Sequence, residues 1–351
     1  MSAWEKNIRK VIPYVPGEQP KDKNIIKLNT NENPYDPSPR VMAKQLELEA
    51  LRKYPDPAVS DLVNALADYH GVSNSQVFVG VGSDDVIAMS FMTFFHGDKP
   101  ILFPDITYSF YDVWAELFGI SYNQVAVDDN FELKLEDYYQ PNGGIIFPNP
   151  NAPTSIAKPI SFIEDVVKHN TDVVVIVDEA YVDFGCESAL SLVDKYDNVL
   201  VVRTYSKSRS MAGLRIGYAI GNEKLIRYLN DVKYSFNSYT MNYPSIVLGV
   251  ESLADEDYFR ETIAKVMETR DWFTEEIRKI GFRCPDSSTN FVFVTHDKLQ
   301  AKDIYEQAKA NKIIVRYFAK PRIDNYLRIT IGTREEMETF LTFLKKLVSN
   351  A

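Results

Sequence analysis

The chain has 351 residues, 45% of them hydrophobic, with 39 Lys and Arg against 49 Asp and Glu, a net charge of −10. That apolar content suits a large core shared between two domains, and the acidic balance argues against nucleic acid or an anionic membrane surface as a partner. Two cysteines, Cys186 and Cys284, make no disulfide framework and fit a reducing cytoplasm, and neither a secretory leader nor an apolar run of the ~20 residues a membrane helix needs is visible.

Residues 1–35 read as a short helix and an irregular arm, because Pro13, Pro16 and Pro20 forbid a long helix. Tyr14 lies in this arm. Two turns follow, Asn31-Glu32-Asn33-Pro34 and Tyr54-Pro55-Asp56-Pro57, and Tyr54 reads as a buried aromatic at a bend. Ser60 to Gly71 has apolar residues at helical spacing, with Ser60 as cap and Gly71 as stop. His70 reads as an ordinary helix-end histidine. Neither it nor His96, His169 or His296 has metal-ligand spacing, so no metal site is expected.

Val77 to Ile87 reads as strand, glycine turn and helix start. Free amides at a helix N-terminus bind phosphate, Gly82 lets backbone approach, and Ser83 can add a hydrogen bond; Asp84 and Asp85 complement the helix start. Ile101–Pro104 is the next strand, followed by Thr107-Tyr108-Ser109, where Tyr108 is either a stacking partner for a flat ring or core filler. Gly143–Phe147 leads into Pro148-Asn149-Pro150-Asn151-Ala152-Pro153-Thr154-Ser155.

Asp172–Val177 is a continuous apolar run ending in Asp178-Glu179-Ala180-Tyr181. Carboxylates at the carboxyl end of a buried strand sit where open α/β sheets hold ligands. A buried Asp178 needs a partner, and a protonated pyridine nitrogen would be one; Tyr181 is placed to reach a phenolic oxygen of the same ring. Asn198–Arg203 and Ile216–Gly221 then flank Thr204-Tyr205-Ser206-Lys207-Ser208, with Arg215 downstream. Hydroxyls at Thr204, Ser206 and Ser208 with a guanidinium make an oxyanion pocket, and a lysine beside it suits a Schiff base with a phosphorylated aldehyde. An anion-binding loop lysine is the plainer alternative.

Beyond Gly221 a helix spans Glu223–Val232, and an aromatic-rich connection, Tyr234 to Asn242, crosses between domains. A long helix runs over about Asp255–Ile280. The remainder alternates strand and helix: Phe291–Thr295, Ala301–Asn311, Ile313–Arg316, Tyr326–Ile331, and a helix from about Glu335, a compact α+β unit. Arg328 inside an apolar strand is costly unless it clamps a carboxylate or phosphate. Arg316 is a second anion ligand or one half of an ion pair.

The ordered set Leu28-Asn29-Thr30-Asn31-Glu32-Asn33-Pro34, Lys53-Tyr54-Pro55-Asp56-Pro57, Asp178-x-x-Tyr181, Ser206-Lys207, Ala212-Gly213-Leu214-Arg215-Ile216-Gly217-Tyr218 and Leu327-Arg328-Ile329-Thr330-Ile331-Gly332-Thr333 resembles the fold-type I aminotransferases that use pyridoxal phosphate. Within them it resembles the histidinol-phosphate aminotransferase branch, over nearly the whole chain. The resemblance implies an α/β fold, a large domain with a mostly parallel sheet between helices plus a smaller α+β domain, with residues 36–235 large and 1–35 and 236–351 small. It implies a homodimer exchanging an amino group between histidinol phosphate and glutamate or 2-oxoglutarate, in histidine biosynthesis. Lys207 would carry the cofactor, Asp178 its ring nitrogen, and Tyr181 its phenolic oxygen. Ser83, Asp84, Thr204, Ser206 and Arg215 would surround the phosphate, Tyr108 the ring face, and Tyr54 the phosphate of the neighbouring subunit. Tyr14, Asn33, Arg316 and Arg328 would face substrate. One departure stands out: the family's asparagine before Pro-Thr-Gly is Ala152 here, with Ser155 for the glycine, and Asn151 is the substitute at hand. An aromatic amino acid aminotransferase and a threonine-phosphate decarboxylase are the alternatives within the fold. A cofactor-sensing regulator would need a basic DNA-binding domain, and a dehydrogenase the last glycine that Gly80-Val-Gly82-Ser-Asp-Asp85 lacks.

Overall fold

The computed structural model describes residues 3–22 and 24–350. In chain order the elements are β1 (Ile26–Leu28), α1 (Pro39–Ala43), α2 (Ser60–His70), β2 (Val77–Gly80), α3 (Ser83–Phe94), β3 (Ile101–Pro104), α4 (Tyr111–Phe118), β4 (Tyr122–Val125), β5 (Ile145–Pro148), α5 (Ile160–His169), β6 (Val175–Asp178), β7 (Val199–Thr204) and β8 (Gly217–Gly221). They continue with α6 (Glu223–Phe236), α7 (Tyr243–Leu253), α8 (Glu256–Lys279), β9 (Phe282–Arg283), β10 (Phe291–His296), α9 (Ala301–Ala310), β11 (Ile313–Tyr317), β12 (Leu327–Thr330) and α10 (Arg334–Ser349).

The larger sheet has the order β2-β8-β7-β6-β5-β3-β4. β8 is antiparallel to both its neighbours, and the remaining pairings are parallel. Helices on both faces explain the unbroken apolar runs: β2, β3, β5 and β6 are buried at every residue. The carboxyl ends of β2, β6 and β7 come to one edge, where Gly217 at the start of β8 stands in register with both Gly80 and Thr204. The smaller sheet, β1-β11-β12-β10-β9, is antiparallel except for β1 against β11. Its core is formed with α8, α9 and α10, and α10 starts on a capping box between Thr333 and Glu336. α7 packs against α2 with Ile246 and Leu253 in the larger core, and α8 places Ile263 and Phe273 in the smaller one, so the change of core falls between the two helices.

Three local expectations change. Ser60 does not cap α2; the Asp56 carboxylate does, accepting Ala58 and Ser60 N–H at 3.0 and 2.8 Å. α6 runs one turn further, to Phe236, because the buried Lys233 continues its inner face although its sequence letter is charged. Tyr54 is not buried: it is 81% exposed, leaning on Tyr239.

Candidate active site

The loop after β7 carries the lysine. Thr204 Oγ1 lies 2.9 Å from Ser206 Oγ, which accepts Arg215 Nη1 at 3.3 Å. Arg215 Nη2 pairs with Asp84 at 3.2 Å, tying the loop to the first turn of α3. Glycine is required at two points. A Cβ on Gly217 would fall 2.2 Å from the Gly82–Ser83 peptide, and one on Gly82, whose φ is +87°, would strike the Arg215 guanidinium at 2.4 Å. The result is a cradle of first-turn amides of α3, the Thr204 and Ser206 hydroxyls and one guanidinium, a donor set for a phosphate.

Asp178 closes β6 in full burial. One carboxylate oxygen accepts the Tyr111 hydroxyl at 2.9 Å and the other the Ala180 N–H at 3.2 Å. Burial pushes its pKa up to about 6, against the pull of the Tyr111 hydrogen bond. A cation placed against it would relieve that cost. The Tyr181 hydroxyl accepts Asn31 Nδ2 at 2.8 Å.

Between these groups and the smaller sheet lies a cavity lined by Tyr14, Thr30, Asn31, Tyr108, Ala152, Tyr181, Lys207, Arg316 and Arg328. Lys207 Nζ donates to Thr30 O at 3.3 Å and stands 5.8 Å from the Tyr181 ring centre. Tyr108 donates to Asp84 at 2.8 Å, and Tyr14 stacks on Phe110 with centroids 4.2 Å apart. Arg328 donates to Asn29 O at 2.9 Å, Arg316 to Val15 O at 3.4 Å, and among the described residues neither has a carboxylate partner. Arg328 Nε is buried with no acceptor. Burial, with Arg316 beside it, draws Arg328 below its ordinary pKa. Two unpaired guanidinium groups in one cavity call for an anion.

The residues read from sequence therefore gather, with three exceptions. Asn33 turns away from the cavity and donates to the Lys207 and Ser208 carbonyls at 3.2 Å, holding the lysine loop. Asn151 spends its amide on Ile106 O and Thr154 Oγ1, both at 2.9 Å, and its oxygen on Thr107, so it braces the loop around Ala152. Tyr54 lies outside its own chain's cavity. Sequence reasoning missed Tyr111, Asn31, and the Arg203–Glu179 pair, in which Glu179 accepts Arg203 Nε at 2.9 Å. Arg203 was legible as a charge inside an apolar strand, as Arg328 was; Tyr111 and Asn31 gave no such signal. No group of three or more His, Cys, Asp or Glu suited to a metal ion occurs among the described residues, nor any helix able to cross a membrane.

A seven-stranded sheet with a buried aspartate ending β6 and a lysine on the loop after β7 defines the class. Residues 23–344 match the family model for class I and II aminotransferases, and the chain belongs to that family. A histidinol-phosphate aminotransferase of Clostridium botulinum is 48% identical over 99% of both chains, and one of Lactococcus lactis is 47% identical over 99% of this chain and 98% of its own. The fold is matched by the crystal structure of the histidinol-phosphate aminotransferase of Sinorhizobium meliloti in complex with pyridoxal-5'-phosphate: TM-score 0.85, 24% identity, 97% of this chain and 96% of that one.

Proposed function

We propose that this chain transfers an amino group between L-histidinol phosphate and 2-oxoglutarate, using pyridoxal phosphate, as a step of histidine biosynthesis. The observation that carries the reading is the convergence of Lys207, Tyr181 and two arginines without carboxylate partners on one cavity, in a chain 48% identical to a histidinol-phosphate aminotransferase along its whole length. The cofactor supplies an aldehyde that exchanges amines and a ring that accepts electrons from the substrate carbon. The donor set fits it: a phosphate cradle, a lysine amine, a buried carboxylate and a tyrosine hydroxyl.

Lys207 Nζ is the amine that holds the aldehyde covalently. With the cofactor bound, its free amine would serve as the base and acid that moves a proton at the substrate carbon. Asp178 would hold a proton on the ring nitrogen of the bound cofactor, and Tyr111 keeps Asp178 oriented. Ser206, Arg215, Thr204, Ser83 and the Asp84 amide would hold the phosphate, and Tyr108 would pack on the ring. Arg328 clamps the carboxylate of the amino-acid substrate, and Arg316 with Tyr14 receives the phosphate of histidinol phosphate.

Tyr54 serves the site of a second copy. It is exposed and leans on Tyr239, itself exposed, and Met42, Leu48, Leu51 and Phe236 are each more than half exposed, apolar side chains of the kind a twofold interface would cover. A homodimer working in the cytoplasm follows from this reading. Lys207→Ala tests it: turnover and the covalent cofactor adduct should both vanish, and steady turnover in the variant would refute the lysine assignment.

A further inference from the structure

Ala152 leaves the ring oxygen of the proposed cofactor with one fewer hydrogen-bond donor than a side-chain amide there would give. The structure holds a different amide close by. Asn31 is 1% exposed and sits at φ +57°, a conformation that asparagine tolerates better than most residues. Its backbone N–H donates to Thr330 Oγ1 at 3.0 Å, and Thr330 Oγ1 donates back to Asn31 Oδ1 at 3.0 Å. The backbone carbonyl accepts Asn290 Nδ2 at 2.9 Å. With Oδ1 so engaged, Asn31 Nδ2 is turned onto the Tyr181 hydroxyl oxygen at 2.8 Å. A tyrosine has one proton. Because its oxygen accepts from Asn31, that proton is free for an acceptor in the cavity that Asn31, Ala152, Tyr181 and Lys207 line together.

We infer that Asn31 is a positioning residue that makes Tyr181 an obligatory donor into the cavity and so compensates for Ala152. The inference rests on the proposed pyridoxal phosphate chemistry. The chain Thr330 to Asn31 to Tyr181 is directional, each group donating to the next. With the cofactor bound, its end point would be the ring oxygen. A donor there withdraws negative charge from beside the lysine-linked nitrogen and lowers the pH at which that nitrogen gives up its proton.

The test is the pH midpoint of the visible band of the protein reconstituted with pyridoxal phosphate, read without substrate. Asn31→Gly keeps the backbone conformation and removes the amide; the midpoint should rise by at least about half a unit, a threefold change in proton affinity. Asn31→Asp, which keeps the shape but draws the Tyr181 proton to itself, should also raise it, and serves if the glycine variant fails to fold. In a Tyr181→Phe background, itself raised, Asn31→Gly should add nothing. An unchanged midpoint in folded Asn31 variants overturns the inference, as does a shift of the same size with and without the Tyr181 hydroxyl. A wild-type protein that forms no visible band overturns the function reading itself, and the inference with it.

Discussion

The Tyr111 hydroxyl donates to Asp178 Oδ2 at 2.9 Å inside a buried pair, so a carboxylate that has no salt-bridge partner among the described residues is held in one orientation at the end of β6. Asparagine in its place keeps an oxygen for Tyr111 but loses the charge. Breaking a buried charge pair costs about 3–5 kcal/mol, which corresponds to roughly two to four orders of magnitude in rate. Asp178→Asn should therefore lower kcat by that factor while the protein still folds and binds cofactor. Steady-state kinetics with absorbance-checked cofactor content decides it, and unchanged turnover would make Asp178 structural.

Arg328 has a buried Nε with nothing to donate to. Hydrogen bonds to a charged group contribute about 1.5–3 kcal/mol each. Arg328→Gln should raise KM for 2-oxoglutarate roughly 10- to 100-fold. Arg328→Lys should recover only part of this, because an ammonium lacks the planar fork. Both are read from initial rates over a substrate series, and equal KM values in wild type and both variants would exclude the clamp.

Arg203 and Glu179 bear on stability. The Glu179 side chain has no exposure, and it accepts Arg203 at 2.9 Å and Ala189 N–H at 2.5 Å. Arg203→Met strands the carboxylate and should cost about 3–5 kcal/mol in urea unfolding. Adding Glu179→Gln should recover part of that loss.

His70 sets an acid limit. Its Nε2 lies 3.0 Å from the Tyr218 hydroxyl, and burial lowers its pKa to about 3 from an ordinary 6.5, with Arg203 and Arg209 adding to the shift. Below pH 6.5 the unfolded chain takes up a proton that folded His70 refuses, so stability falls as pH falls. Between pH 8 and 5 this one group removes about 2 kcal/mol. Urea unfolding of His70→Gln should lose that much less than wild type over the same interval; parallel losses in the two proteins would contradict the assignment.

The strands of the larger sheet other than β4 were legible because burial on both faces leaves unbroken apolar runs such as Val175–Val177, and the glycine turn at Gly82 because only glycine suits it; β4, largely exposed over Tyr122–Val125 at the sheet edge, left no such run. Lys207, Asp178 and Arg328 were legible as charges in apolar surroundings that demand a partner. What escaped depended on side-chain direction. Asn31 and Asn33 sit two residues apart in one turn; only the fold shows that Asn31 faces the cavity and Asn33 the backbone of the lysine loop. Tyr111 begins a helix and reads as core until α4 lays it against β6.

The most direct test of the central claim is the visible spectrum of the purified protein titrated with histidinol phosphate. The account predicts a band from cofactor joined to Lys207 that bleaches on adding histidinol phosphate and returns on adding 2-oxoglutarate. A band that ignores histidinol phosphate and answers to an aromatic amino acid or threonine phosphate would contradict the substrate assignment, and no band even with added pyridoxal phosphate would contradict the account as a whole.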